Sequence, residues 1–414
     1  MNDHLEDDLR RALGHASERA PHAPSSLSSH IVTSSRRRRT RAQALVAAVA
    51  VAVVAGGVGV TVRGVQGDPA SPVVSPTQVP SAEITTPSPA DEQAPEAPDP
   101  VEEVWPQAVR KIPAKLPDGR RFQPQGFIDD HTLLVQTQSS FEKADAIYAY
   151  DMDSAEVRKI ADVPTPRKTV LFASDFTIGA GQVAWWTARK TGDGEIADLW
   201  AAPLSGGEAR LVASHRNGKS GALDPPAITG DGRIAFSFRQ GDGVFTVPLG
   251  GGAVEPVAGA EKYHIMSWPW VGSGGKYNHS EKANFGELLN VETGEKRTVS
   301  INPGEWGLRC GVTMCVGRKS GGKPFSRLRD GSQERDLQDY PMMGLAADRF
   351  LTVHLPRPGG QVLHDLATGK SGDLGIRPNA EGVSVSVQPG RKDGRLVDYP
   401  LKGELVIIDL TKIR

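Results

Sequence analysis

From residue 109 to Arg414 one unit recurs: an alternating strand, a Gly or Asp turn, then a second short strand. The copies read AIYAYDMDSAEVRKIA (146–161), DLWAAPLSGGEARLVA (198–213), GVFTVPLGGGAVEPVA (243–258), FGELLNVETGEKRTVS (285–300), PFSRLRDGSQERDLQD (324–339) and GQVLHDLATGKSGDLG (360–375). Another apolar strand precedes most of them, among them GQVAWWTAR, GRIAFSFRQ and EGVSVSVQP. The turn glycines Gly207, Gly251, Gly294, Gly331 and Gly369 step by 44, 43, 37 and 38 residues. A period of about 40–45 residues holding four short strands marks a β-propeller blade. Two-residue alternation without a helical period over this stretch agrees with an all-β fold.

The count points to about seven blades. A seventh copy opens at SVSVQPGRKDG and ends in GELVIIDLTKIR, one strand short of a full blade. The segment VRKIPAKL (109–116) has the character of an outer strand without a blade of its own. The expectation is that this N-terminal strand completes the last blade, which removes the open edges of the array.

The run Gly230-Asp231-Gly232-Arg233-Ile234-Ala235-Phe236, with Leu204-Ser205-Gly206-Gly207 and Leu249-Gly250-Gly251-Gly252, resembles the WD-like repeats of the TolB-like family and of prolyl oligopeptidase propellers. The resemblance covers about three quarters of the chain. It implies a scaffold that binds proteins, peptides or small ligands on its faces or in its central channel. The oligopeptidase activity does not transfer, because the chain has no Gly-x-Ser-x-Gly elbow and no hydrolase domain after the repeats.

Charge divides the rest of the chain. The overall balance, 48 Lys+Arg against 49 Asp+Glu, argues against a nucleic-acid binder and hides unlike segments. Residues 1–41 carry eight Arg and five acids, with RRRRTR at 36–41. Residues 42–62 contain no charge over 21 positions, enough helix to cross a hydrocarbon core of about 30 Å. Residues 64–108 hold eight acids, ten prolines and no base. The basic flank predicts a retained single-pass transmembrane helix with the N-terminus in the cytoplasm and the repeats outside the cell. A cleaved signal peptide is the rival reading, but the n-region and the apolar run are too long for one. Residues 63–108 read as a disordered Pro-rich extracytoplasmic linker, and 109–414 as the propeller domain. In 1–41, Leu5, Leu9 and Leu13 lie at helical spacing and suggest a short amphipathic helix ending before Pro21. This tail resembles those of actinobacterial membrane proteins.

Two cysteines, Cys310 and Cys315, sit across a Gly-containing turn in the fifth copy. Outside the cell this pair predicts a structural disulfide. The histidines of the repeats (His131, His215, His264, His279, His354 and His364) show no metal-ligand spacing, so neither a metal nor another cofactor is expected. Trp185, Trp268 and Trp270 are candidate ligand-face aromatics, with Trp268 and Trp270 on one strand face at i, i+2. Packing between blades uses the same residue type. The expected function is non-catalytic binding of a protein, peptide or cell-envelope component. Two alternatives stay open: a propeller enzyme (lyase, glycosidase or quinone-dependent dehydrogenase) with its site in the channel, and an envelope sensor signalling through the N-terminal helix.

Overall fold

The computed structural model describes residues 98–414 apart from 141, 217, 219, 242, 275–282, 339–341, 356–358, 380–383 and 391–393. The cytoplasmic segment, the span at 42–62 and the linker through residue 97 lie outside the described residues. Among those described, no helix is long and apolar enough to cross a membrane.

Seven antiparallel sheets follow one another along the chain as the blades of a propeller. Their strands span residues 122–162, 169–215, 227–256, 264–298, 306–336 and 342–373, with 396–409 forming part of the seventh. The first strand of blade two touches the first strands of blades one and three around the axis. Each blade is covered on both faces, so its strands are apolar at consecutive positions. In blade one, Leu133 and Val135 enter the core shared with blade seven, whereas Leu134 enters the core shared with blade two. Period-two alternation sends neighbours to opposite faces, and here both faces are interior.

Four blades turn between their third and fourth strands by one device. Asp151 accepts hydrogen bonds from the amides of Asp153 at 2.9 Å and Ser154 at 2.8 Å. Asn290 does the same for Glu292 and Thr293, Asp330 for Ser332 and Asp365 for Ala367. A short side chain reaches the backbone two residues on, and each turn also holds a residue at positive φ: Ala155, Gly294, Gly331 and Gly369.

The ring closes with the N-terminal strand. Val109–Pro113 pairs with Glu404–Asp409, from Val109 against Ile408 to Pro113 against Glu404. The preceding residues depart from the expected linker. Residues 98–108 pack on the ring: the helix Val101–Val104 buries Val101, and Trp105 follows it into a core with Leu363, Tyr399 and Ile408. The amide of Asp373 donates to Asp99 at 2.8 Å. One aromatic cannot build a core of its own, but it completes a neighbour's.

Blades five and seven are irregular. The strand expected at EGVSVSVQP is absent from the described residues 384–389. There the buried Gln361 side chain binds the backbone instead, donating to Val385 O and accepting from Val387 N at 2.9 Å. In blade five, Ala283–Asn284, from the connection within blade four, pairs in parallel with Trp306–Cys310.

Candidate binding face at blade five

The aromatic residues singled out in the sequence fall mostly in the core. Trp185 is fully buried and meets Phe176 with ring centroids 5.6 Å apart, between blades one and two. It therefore cannot line a ligand face, because strand alternation inside a two-faced blade sends it into an interior. Trp186 enters the opposite core. Trp268 and Trp270 do not share a strand face, since the turn between His264–Ser267 and Trp270–Gly272 separates them. Trp268 packs toward Ile265 and Val271 and donates its N–H to Glu292 at 3.0 Å. Trp270 lies under the Arg297 guanidinium, 4.8 Å from its ring centroid. Cys310 and Cys315 face each other across the hairpin, joined as a disulfide with their Cα atoms 4.0 Å apart.

Among the described residues, the large aromatic that reaches solvent is Trp306, 52% exposed at the start of the first strand of blade five. Its position is built from the preceding residues. Asn302-Pro303-Gly304-Glu305 form a turn closed by the Glu305 amide donating to Asn302 O at 3.2 Å. Proline second and glycine third, with Gly304 at φ 83°, is a type II pattern, in which the third residue needs positive φ. The turn presents Glu305 to Arg327, the largest charged side chain fully buried among the described residues. Arg327 donates Nε and Nη2 to the two carboxylate oxygens at 3.0 and 2.7 Å, and Nη1 to Leu328 O at 2.9 Å. Burial pulls the Glu305 carboxyl upward, but Arg327 and Asn302 outweigh it and hold it below its ordinary value. At the next residue, the Trp306 indole N–H donates to Lys319 O at 3.2 Å. The ring is thus tied at its edge to the turn between the second and third strands, with about half of the residue left to solvent.

The same end of the ring, between blades two and four, holds a second polar group. Asp175 accepts from Trp186 Nε1 at 3.2 Å and from Arg239 Nη2 at 3.1 Å. Next to it, Asp224 Oδ2 accepts from Ser237 Oγ at 2.8 Å and lies 3.0 Å from His264 Nδ1. Ser237 in turn accepts from the Ile265 amide at 2.9 Å. The hydroxyl proton is committed to the carboxylate and the imidazole meets the carboxylate rather than the hydroxyl. That is a cross-blade tie between blades three and four, not a nucleophile facing its base. Among the described residues, no group of three or more His, Cys, Asp or Glu side chains is gathered as for a metal.

Sequence reasoning missed Trp306, a lone tryptophan between Glu305 and Gly307 in PGEWG. The available signal was the Pro-Gly turn just ahead of a strand, which marks an aromatic at a strand mouth rather than within it.

No family model matches the chain, and no curated protein matches it. Among solved structures it is similar to BamB from Moraxella catarrhalis, at 14% identity and a TM-score of 0.34, covering 70% of this chain and 86% of that one. It is also similar to YCF48 bound to D1 peptide, at 10% identity and a TM-score of 0.43, covering 75% and 97%. An oligogalacturonate lyase in complex with manganese gives 12% identity, a TM-score of 0.31 and coverage of 68% and 74%. These are likenesses of propeller architecture alone.

Proposed function

We propose that this chain is a single-pass membrane protein, N-terminus in the cytoplasm, whose extracytoplasmic propeller acts as a non-catalytic binding module for a protein, peptide or envelope component. The observation that carries the binding role is Trp306, an indole half in solvent at the start of the first strand of blade five, held by a buried ion pair on one side and a backbone acceptor on the other. A large aromatic fixed in advance binds at low entropic cost and is the residue type most enriched among binding hot spots. The topology rests on the uncharged run 42–62 behind RRRRTR and on the acid-only segment that follows.

A photoreactive benzoylphenylalanine in place of Trp306 tests the binding role in intact cells. The control is the same probe at Leu211, which is 49% exposed on an outer strand. A discrete cross-linked product from position 306 and none from 211 is expected; equal labelling at both, or at neither, contradicts the reading. A reporter fused after Arg414 should be active only outside the cytoplasm.

A further inference from the structure

We infer that the Trp306 site takes an extended acidic peptide; this rests on the binding role proposed above and adds the ligand's charge and class. From Trp306 to Cys310 the strand is exposed, exposed, buried, exposed, buried. In a regular strand Trp306 would point to the side of the buried Leu308 and Cys310. The register shift between Trp306 and Arg309 brings the indole out to the side that carries Arg309, as a bulge does when it re-aims a side chain. Arg309 is exposed and has no carboxylate partner among the described residues. Lys323, in the turn whose Lys319 carbonyl accepts the indole N–H, lies across from Lys319 on the Phe325 face, away from that side. The neighbouring acids are already engaged: Glu305 on Arg327, Glu334 and Asp336 on Lys319. An exposed indole and a free guanidinium thus share one side of the strand.

The remaining surface decides the ligand class. Ile301 is 41% exposed beside the turn, next to the exposed Pro303, and the nearby hydroxyl of Ser320 is engaged with Gly304 O at 3.4 Å. An aliphatic rim accepts amino-acid side chains, whereas a sugar needs planar polar groups to meet its hydroxyls. A carboxylate meeting Arg309 while an apolar side chain lies on Trp306 describes an acidic peptide with interspersed apolar residues.

The test is anisotropy of the full-length protein in detergent with fluorescein-labelled (Glu-Leu-Pro)4, its counterpart (Lys-Leu-Pro)4, and labelled oligogalacturonate as an anionic sugar. The acidic peptide should bind saturably, weaken with added salt and lose about tenfold or more in affinity with either Trp306→Ala or Arg309→Glu, while Arg309→Lys retains most of it. Both side chains are exposed, so an unchanged melting temperature certifies each variant. Absence of saturable binding by the acidic peptide, or indifference to Arg309→Glu, overturns the inference. Oligogalacturonate binding in place of the peptide overturns the peptide class while leaving the binding role intact. Indifference of every ligand to Trp306→Ala overturns both.

Discussion

Arg327 and Glu305 meet in a bidentate ion pair, at 3.0 and 2.7 Å, in which both side chains are buried. Arg327 lies on the third strand of blade five and Glu305 at the end of the connection from blade four, so the pair fixes the residue before Trp306. Replacing one partner leaves the other charged, buried and alone. Arg327→Ala should cost about 3–5 kcal/mol, seen as a large fall in melting temperature, and should weaken any ligand that depends on Trp306. A melting temperature unchanged within error would show that the pair does not hold the turn.

Gly372 provides the seat for the N-terminal segment. A Cβ there would stand 2.9 Å from Val101 Cα and 3.0 Å from the Trp105 ring. Gly372→Val should lift residues 98–105 from blades six and seven, making the peptide bonds near Trp105 the first cut in limited proteolysis. The loss should approach that of Trp105→Ala, roughly 3–5 kcal/mol. Wild-type resistance to protease in Gly372→Val would place the segment elsewhere.

Trp185 and Trp306 should part company on substitution. Trp185 is fully buried and Trp306 is 52% exposed. Trp185→Ala should lose roughly 3–5 kcal/mol of stability through the cavity it leaves, whereas Trp306→Ala should stay within about 0.5 kcal/mol of wild type. Chemical denaturation of both variants separates the two roles.

Acid should destabilise the propeller in two stages. Burial holds His215, His354 and His364 below the ordinary imidazole value of 6.5. As pH falls below about 6.5 the unfolded chain takes up protons that the folded one resists, so stability declines in that window. For Asp365 and Asp409 burial acts upward, but Arg349 and Arg395 outweigh it and hold both below the ordinary value of 3.8. Their contribution is present above about pH 4 and is lost as pH falls through their folded values. Urea midpoints should drop from pH 7.5 to 5.5 and again toward pH 3. His215 packs among Phe236, Phe238 and Phe245, so His215→Leu should shrink the first drop; an unchanged drop would remove this histidine from the account.

The propeller was legible because its cause is periodic. Turn glycines recur, strands alternate, and VRKIPAKL reads as a strand without a blade; it is the strand that pairs with Glu404–Asp409. The pairing partners that build the binding face leave no such trace. Arg327 meets Glu305 across 22 positions of chain, and Trp306 is exposed only through a shift in register. Conversely, Trp185 reads as a candidate ligand-face aromatic, and a blade covered on both faces has no outside at that position. Trp105 reads as linker because its neighbours are prolines and acids. Its contacts come from the far end of the chain.

The most direct measurement is amide hydrogen exchange on the full-length protein with and without the acidic peptide. The account predicts added protection confined to residues 301–309 and 319–323, with the turns at the opposite end of the blades unchanged. Protection centred on another blade, or none at Trp306 while the peptide is bound, would contradict it.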